Sequence, residues 1–273
     1  METWDETEAR FRSHLIATGR SEETARCYIA NLRVFGKWCQ RHGASPYDCV
    51  RYDIEAHLAQ EMKRIGRNTV ALRLAALRAF YKSIGTTPSP TDGLSIKREK
   101  QAPRRPYSAS DVQALLEAAH SERDRAMLIV AEHCGLRVSE LVGLRARDVD
   151  LERAIMLVRG KGSKQRWVAL TPATTRALTP FLGGTRGILW WTQNGTPVGV
   201  PRAKRILDGI ARRAGVHGHW HRYRTTFATR FLAATHDLHS CQVLMGHANP
   251  GVTAHYAAFN AQDVALDQMR ALM

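Results

Sequence analysis

Apolar residues recur every three or four positions along two stretches of the first third of the chain, residues 23–40 and 67–83. The repeating residues are Tyr28, Leu32, Phe35 and Cys39 in the first stretch, and Val70, Leu74, Leu77 and Tyr81 in the second. This spacing places them on one face of an α-helix. Ser21 stands just ahead of the first stretch as a candidate N-cap. The pattern predicts that residues 5–84 are helical throughout.

Residues 85–107 interrupt this pattern with Gly85, Gly93 and four prolines. Proline density argues against a continuous helix, so the stretch is predicted to be an extended connector. Its basic residues are Lys97, Arg98, Lys100, Arg104 and Arg105. A connector that touches a polyanion and a solvated tether both fit this composition.

A second folded segment is expected from residue 108 onward. Ser110–Gln113 has the spacing of a capping box at a helix start. Further along, the residue pattern becomes typical of two short β-strands, Ala154–Arg159 and Gln165–Leu170, joined by a glycine-rich turn. Helical patterns return after Pro172. The predicted fold class is mainly α with a small β-sheet (α+β).

Composition limits the class of protein. Of the 273 residues, 44% are hydrophobic, which is enough for a packed core. No apolar run approaches the roughly 18 residues of a membrane span, and residues 1–10 lack the pattern of an export signal. We therefore expect a cytoplasmic protein without a membrane partner. The five cysteines include no CxxC pair, which favours reduced thiols over a disulfide framework.

Positive charge is spread over both segments. Residues 1–107 hold 19 Lys/Arg against 12 Asp/Glu, and residues 108–273 hold 21 against 13. A protein that contacts a polyanion from two sides needs this distribution. Along the second predicted helix, Arg67, Arg78 and Lys82 flank the apolar stripe and are candidate phosphate contacts. For this helix alone, a solvated basic face is the interpretation that we favour.

Two local motifs could place a cation in a cleft. Arg137 follows a glycine break in Gly135–Leu141, and a guanidinium donates paired hydrogen bonds to phosphate without losing its charge. The alternative is a surface arginine paired with Glu140. Lys161 lies between two glycines at the predicted hairpin tip, where an ammonium could serve as a general acid. A plain polar turn is the alternative there.

Two further motifs contain histidine. His221 and Arg224 share a helical face, which combines a titratable donor with a fixed cation. A capping histidine beside a surface arginine is the alternative. His217 and His219 alternate with His221, but no recognised ligand spacing completes a metal site.

The last motif is His247, which precedes Tyr256 by nine residues across a turn. Tyrosine has a reference pKa of about 10 and becomes a useful nucleophile only where cations stabilise the phenolate. A core tyrosine in a helix is the commoner alternative.

The order of these motifs, Arg, Lys, His-x-x-Arg, Gly-His and Tyr, resembles the tyrosine recombinase family, which includes Xer recombinases, the Cre type and phage integrases. The resemblance covers nearly the whole chain. It implies that Arg137 in GLRVSEL and Arg224 are catalytic arginines. It likewise implies a hairpin lysine at Lys161, and a supporting acid at Glu140.

By the same resemblance, His221 pairs with Arg224, His247 in LMGH fills the family's His/Trp position, and Tyr256 is the nucleophile. Two positions depart from the family pattern: Thr225 stands where a histidine is frequent, and Tyr223 where a leucine is common. Neither replaces a catalytic group, so we expect them to affect packing and subfamily.

The resemblance also implies an architecture. Residues 1–84 would form a helical core-binding (SAM-like) DNA-binding domain, residues 85–107 a basic linker, and residues 108–273 a mixed catalytic domain, together a clamp round DNA. The DNA-binding candidates are Arg67, Arg78, Lys82, Lys97, Arg98, Arg104 and Arg105.

The implied reaction is DNA transesterification through a 3′-phosphotyrosine, which conserves the ester energy and uses no ATP, metal or other cofactor. The implied partners are double-stranded DNA at specific sites, further copies of the chain in a homotetramer or paired dimers, and an accessory DNA-bending protein. Integration and excision are the expected role, with Xer-type chromosome-dimer resolution as the alternative. A type IB topoisomerase-like enzyme and a non-catalytic DNA-binding protein of the same fold remain as rivals.

Overall fold

The computed structural model describes residues 4–99, 105–160, 164–183 and 187–246. The chain divides into two compact units, Met1–Gln101 and Ala102–Met273. Each unit has its own hydrophobic core. The two units are therefore described one at a time.

The first unit is helical in its described part. Its helices are α1 (Trp4–Ala17), α2 (Glu22–Arg41), α3 (Arg51–Met62) and α4 (Arg67–Ser83). Ser21 caps α2, as predicted, and its hydroxyl accepts a hydrogen bond from the Thr24 amide. The expectation of continuous helix over residues 5–84 misses the turns between these helices. At two of the turns, Gly19 and Gly43 adopt positive φ angles of 81° and 66°.

The predicted apolar stripes form the core of this unit. Leu32 and Phe35 of α2 and Val70 and Leu74 of α4 are all buried. Burial of an aliphatic or aromatic side chain of this size contributes about 1.5–3 kcal/mol, so the stripes hold the helices together. One predicted stripe residue, Tyr28, is only partly buried.

Residues 85–99, which follow α4, contain no helix or strand. They are nevertheless attached to α4. The Asn68 side chain exchanges two hydrogen bonds of 3.0 Å with the backbone of Glu99. This part of the predicted connector therefore lies against its own unit at that point.

The second unit combines helices with a small sheet. Its described helices are α5 (Ala109–Glu117), α6 (Glu122–Cys134), α7 (Val138–Val142), α8 (Pro172–Leu178), α9 (Val200–Ala214), α10 (Trp220–Thr235) and α11 (Leu238–Met245). The strands are β1 (Val149–Asp150), β2 (Ile155–Arg159) and β3 (Gln165–Ala169). They form an antiparallel sheet in the order β1-β2-β3. The predicted fold class, mainly helical with a small sheet, is confirmed.

The cap of α5 differs from the prediction. Ser108, and not Ser110, is the N-cap, and its hydroxyl accepts from the Asp111 amide at 3.0 Å. The Asp111 carboxylate returns the bond by accepting from the Ser108 amide at 3.2 Å. Ser108 and Asp111 have the same reciprocal spacing as the predicted box, with a carboxylate at the third helical position, so the helix begins earlier than predicted.

The two predicted β-runs are β2 and β3, each one residue shorter than predicted. Val158 pairs with Arg166 in their register. The sequence pattern missed β1, because a two-residue strand is too short to show alternation. After Pro172, residues 187–199 form a turn-rich stretch with isolated β-bridges, which the expectation of renewed helix did not include.

Buried indole groups connect the elements of this unit. The Trp190 Nε1 donates to the Leu141 carbonyl at 2.6 Å, and the Trp220 Nε1 donates to the Ala203 carbonyl at 2.9 Å. A buried indole N–H needs such a partner, so each bond fixes one element on another. Across both units, none of the described helices is long and apolar enough to cross a membrane. The five cysteines are free thiols, and four of them are buried.

Candidate active site

Gly135 places Arg137 at the start of a helix. Helix α6 ends at Gly135, which has a φ of 59°. A Cβ at this position would lie 2.5 Å from the Phe227 ring, so no other residue fits without a shift. The chain turns there and restarts as α7, with Arg137 as its N-cap.

Arg137 is anchored by Glu140, three residues later. The Arg137 amide donates to Oε2 of Glu140 at 2.9 Å, and Nη1 donates to Oε1 at 2.8 Å. The side chain of Glu140 is 2% exposed, whereas that of Arg137 is 39% exposed. The pairing considered as the alternative for Arg137 therefore exists, but its carboxylate is buried. The pair holds the guanidinium at the mouth of a cleft.

Arg224 approaches the same carboxylate from α10. It is 1% exposed, and its Nη1 lies 3.9 Å from Oε2 of Glu140. Nη1 also donates to the Gly135 carbonyl at 2.6 Å, and Nη2 donates to the Met245 carbonyl. Helix α10 thus brings together two arginines that lie far apart in the sequence.

Arg166 on β3 is a third arginine at this site, and the sequence analysis did not single it out. Its Nη2 donates to Oε2 of Glu140 at 2.8 Å and its Nη1 to Oε1 at 3.1 Å. Its Nε donates to the Leu244 carbonyl at 2.6 Å. The only sequence signal was an arginine within a short β-run directly after the glycine turn.

Glu140 stays ionised within this cluster. Burial favours its neutral form, but hydrogen bonds from Arg166, and from the Arg137 amide and side chain, outweigh that effect. The pKa of Glu140 is therefore below its ordinary value. Three guanidinium groups surround one carboxylate, so the site keeps a positive charge suited to a phosphate.

His221 lies beside this cluster at the start of α10. The N-cap of α10 is His219, whose Nδ1 accepts from the His221 amide at 3.1 Å. The histidine that caps this helix is therefore His219 and not His221, for which capping was considered as the alternative. Both histidines and Arg137 line a cavity of about 450 Å³. His221 and Arg224 share a helix, as predicted.

The neighbouring segment that precedes α5 is strapped to α10 by Arg222. The Arg222 side chain donates to the carbonyl oxygens of Arg105 at 3.0 Å and Pro106 at 3.2 Å. Its guanidinium carbon lies 4.0 Å from the centroid of the Tyr107 ring. The Tyr107 hydroxyl in turn accepts from the His219 amide at 2.7 Å. These contacts define a strap, residues 105–107, against the helix start that carries His221.

The two departures from the family pattern pack inside the unit. Tyr223 is fully buried, and burial raises the pKa of its hydroxyl. Its ring centroid lies 4.8 Å from that of Tyr107. The Thr225 hydroxyl donates to the His221 carbonyl at 3.1 Å. Tyr223 contributes packing, as expected, and Thr225 adds a local hydrogen bond.

Three predicted catalytic residues, Lys161, His247 and Tyr256, lie outside the described residues. Their flanking residues are described. Gly160 donates to the Lys164 carbonyl at 2.7 Å, which closes the β2–β3 hairpin. Gly246, with a φ of 60°, ends α11 directly before His247. Arg166 contacts Glu140 and the end of α11, so the described site lies next to both segments.

The predicted DNA-binding residues of the first unit have several environments. Arg67 lies 3.5 Å from Glu99 in an ion pair, and Arg78 donates to the Leu94 carbonyl. Arg78 and Lys82 also line a groove of about 500 Å³, together with Arg20 and His14. Lys97 and Arg98 are exposed, and Arg98 borders a cavity of about 410 Å³.

The remaining two DNA-binding candidates belong to the second unit. Arg104 lies outside the described residues, and Arg105 is exposed within the strap. Helix α9 falls in the region where helical patterns were predicted to return, but its basic residues were not singled out as DNA-binding candidates. They are Arg202, Lys204, Arg205, Arg212 and Arg213. Arg202 and Arg205 line a polar cavity of about 600 Å³. The run of basic residues at 202–205 was the available signal.

Comparison with known proteins places these features in a family. Residues 105–263 match the model of the phage integrase family, and residues 9–91 match its N-terminal SAM-like domain. The tyrosine recombinase XerC of Chromobacterium violaceum is 32% identical over 279 residues, covering 96% of this chain and 92% of that protein. The chain therefore belongs to the phage integrase family, and the predicted resemblance to tyrosine recombinases is confirmed.

Solved structures agree with this assignment. A crystal structure of the XerA recombinase is 27% identical and covers 98% of each chain, with a TM-score of 0.54. The integrase of transposon Tn1549, in complex with circular intermediate DNA, has a TM-score of 0.72 at 20% identity, covering 98% of this chain and 99% of that one. The second similarity supports the fold alone. Membership of the family makes the chain an enzyme of the tyrosine recombinase class.

Proposed function

We propose that this chain is a site-specific recombinase that cuts and rejoins DNA with Tyr256 as its nucleophile. The observation that carries the proposal is the convergence of Arg137 and Arg224 on the buried carboxylate of Glu140, next to the cavity lined by His221. Two fixed guanidiniums beside a titratable ring suit a phosphodiester, whose charge increases in the pentavalent transition state.

The proposed chemistry conserves bonds at each step. The Tyr256 oxygen forms a bond to phosphorus while the bond from phosphorus to the 5′-oxygen breaks, which gives a 3′-phosphotyrosine and a 5′-hydroxyl. His221 accepts the phenol proton, and Lys161 donates a proton to the leaving 5′-oxygen. Attack by a second 5′-hydroxyl reverses the step and releases Tyr256. One ester replaces another, so the exchange needs no ATP.

The remaining groups stabilise the phosphorus centre. Arg137 and Arg224 bind the non-bridging oxygens, and His247 donates a hydrogen bond to the same phosphate. Glu140 contacts arginines only in the described site, so its proposed role is to orient them and not to touch DNA.

The proposed substrate is double-stranded DNA at specific sites, bound by basic surfaces of both units. In the first unit these are the groove with Arg78 and Lys82, together with Arg67, Lys97 and Arg98. In the second unit they are residues 104–105 and the basic face of α9. Phosphate contacts of this kind fix position and are salt-dependent, whereas base contacts specify sequence.

We propose that the active assembly is a homotetramer, or paired dimers, on two DNA sites, aided by an accessory DNA-bending protein. Residues 1–84 are proposed as the core-binding domain, 85–107 as the linker and 108–273 as the catalytic domain. The proposed place of action is the nucleoid in the cytoplasm.

Integration and excision are the proposed biological role. The similarity over nearly full length to XerC of Chromobacterium violaceum supports Xer-type chromosome-dimer resolution as a second candidate. The two roles differ in the DNA sites that are used. Sites that recur at one chromosomal position would favour resolution, and junctions between mobile and chromosomal DNA would favour integration.

The test is covalent capture of DNA. The purified chain is incubated with sheared genomic DNA of its source, denatured in detergent, and the protein-linked fragments are sequenced. A nicked duplex built from the enriched sequence should then give a stable adduct with the wild-type chain. Tyr256→Phe should form no adduct while retaining the same affinity for the duplex.

Two outcomes would overturn the proposal. A wild-type chain that binds an enriched duplex without any adduct would be a non-catalytic DNA-binding protein. A chain that relaxes supercoiled plasmid lacking the enriched site as fast as plasmid carrying it would be a topoisomerase-like enzyme.

A further inference from the structure

We propose that Arg166 is a positioning residue for the strand-transfer reaction, which fixes the Arg137–Glu140 pair against the carboxyl end of α11. The inference rests on the proposed function of the site. Its basis is the set of three hydrogen bonds that one guanidinium makes, two to Glu140 and one to the Leu244 carbonyl.

The geometry requires arginine. Two parallel bonds from Nη1 and Nη2 meet the two carboxylate oxygens, and Nε is left for a carbonyl on a different element. A planar fork with donors in fixed directions can make all three bonds at once, whereas an ammonium group cannot. The Arg166 side chain is 11% exposed, so water is poorly placed to replace these bonds.

Arg166 connects the segments that carry the other candidate residues. It lies on β3, the return strand of the hairpin that contains Lys161. Through Glu140 it reaches Arg137 at the start of α7. Through Leu244 it reaches the last turn of α11, which leads to His247. The neighbouring carbonyl of Met245 is bound by Arg224, so two arginines hold consecutive carbonyls of this turn.

Gly246 shows how closely this turn packs on Arg166. A Cβ at Gly246 would lie 3.2 Å from Nη1 and 3.3 Å from Cδ of Arg166. The backbone directly before His247 therefore rests against the guanidinium. Loss of the planar group would remove one support of this turn and leave the Arg224 bond to the Met245 carbonyl to hold it.

Arg166 also sets the charge that reaches the substrate. Arg137 makes a single side-chain bond to Glu140, whereas Arg166 makes two. Arg166 therefore offsets much of the carboxylate charge, so that Arg137, the more exposed partner, keeps its own charge for the phosphate. Without Arg166, Glu140 would draw the Arg137 side chain inward.

The test compares Arg166→Lys with Arg159→Lys. Arg159 is a matched control because it ends β2 and makes a bidentate pair with Asp148, at 2.7 and 3.2 Å. Single-turnover adduct formation is measured on the nicked duplex captured above. Arg166→Lys should slow this step by roughly 10- to 100-fold, as expected when a contact group is misplaced. Arg159→Lys should match the wild type, and all variants should bind the duplex with unchanged affinity.

A second substrate separates positioning from general damage to the fold. Replacing one non-bridging oxygen of the scissile phosphate by a methyl group removes its negative charge and the need for a fully aligned arginine clamp. The defect of Arg166→Lys should shrink by about tenfold on this methylphosphonate. A defect of the same size on both substrates would overturn the inference.

Other outcomes are equally clear. Adduct formation by Arg166→Lys at the wild-type rate would refute a positioning role and leave the proposed function intact. An equal loss of rate in Arg159→Lys would do the same. A wild-type chain without any adduct would overturn the proposed function and the inference with it. A further variant, Arg166→Met, removes the charge as well. If thermal unfolding shows that it does not fold, the charge-conserving Arg166→Lys still decides.

Discussion

Arg224 and Gly135 are joined by a hydrogen bond of 2.6 Å from Nη1 to the glycine carbonyl. The bond links the buried middle of α10 to the end of α6, where the chain turns toward Arg137. Arg137 and Arg224 are thus held by one piece of backbone as well as by Glu140. The clamp is assembled by the fold of the second unit alone.

Glu140→Gln should weaken both the fold and the reaction. The substitution leaves three arginines around a neutral side chain. Removing one partner of a buried ion pair lowers the free energy of unfolding by about 3–5 kcal/mol. Denaturant unfolding measures the stability, and adduct formation measures the reaction. The matched control is Asp148→Asn, which alters a buried carboxylate paired with Arg159 away from the clamp. Loss of adduct by the control to the same extent would contradict the assignment.

The contribution of Glu140 should depend on pH in a defined direction. Its pKa is lowered in the folded chain, so the folded state binds fewer protons than the unfolded state. The ionised carboxylate therefore stabilises the fold above the pKa of the unfolded chain, about 4.3. This stabilisation is lost as the pH falls through the pKa of Glu140 in the folded chain. The difference in unfolding free energy between wild type and Glu140→Gln should narrow below that pH. A constant difference from pH 7 to pH 3 would contradict the prediction.

Gly135→Ala should destabilise the chain more than Gly215→Ala. Both glycines have positive φ, 59° and 65°, so each alanine costs about 1–2 kcal/mol in backbone strain. Only Gly135 has a close neighbour, the Phe227 ring, whereas a Cβ on Gly215 meets nothing within 4 Å. The additional loss of stability in Gly135→Ala should appear as a lower melting temperature in thermal unfolding, together with slower adduct formation. Equal effects would show that the Phe227 ring moves aside freely.

His57 should make the first unit less stable in mild acid. Burial among aromatic rings lowers the pKa of His57 to about 4, and neither ring nitrogen has a hydrogen-bond partner among the described residues. The unfolded chain takes up this proton near pH 6.5, so stability falls between pH 6.5 and 4 by on the order of 3 kcal/mol. His57→Leu should flatten the pH profile in denaturant titrations. The exposed His120, replaced likewise, serves as the control and should leave the slope unchanged.

Lys82→Gln should weaken DNA binding and reduce its salt dependence. Lys82 is exposed beside the groove that also contains Arg78 and Arg20. Loss of one phosphate contact lowers the slope of log affinity against log salt by about 0.9. Lys63→Gln at the exposed end of α3 lies outside that groove and should leave the slope intact. Equal slopes for both variants would remove Lys82 from the DNA interface.

Sequence patterns predicted the elements of this fold better than their ends. Two long helical stripes and two β-runs were visible because several apolar residues repeat with the right period. The prediction placed the capping box at Ser110–Gln113, which ends in the usual glutamine, whereas the cap is Ser108 with Asp111 as its partner. Only the fold shows which serine precedes the first helical turn. β1 has two residues and carries no periodicity of its own.

The candidate site was likewise predicted only in part. Arg137, His221 and Arg224 were predicted from the order of the motifs and from the family resemblance. The structure brings Arg137 and Arg224 together at Glu140, beside the cavity that Arg137 and His221 line. Arg166 was not recognisable, because its partners Glu140 and Leu244 are distant in sequence and meet only after folding. A contact between residues distant in sequence leaves no periodic pattern. From the sequence alone, an arginine in a strand is therefore predicted to face solvent.

The strap of residues 105–107 is bound to the start of helix α10. Arg222 binds the strap and stands next to His221, in the first turn of α10. A change in the position of residues 105–107 would therefore act on that turn, which lies one helical turn before Arg224 and its bond to Gly135. The same short segment thus supports the backbone position of His221, next to the cavity that this histidine lines.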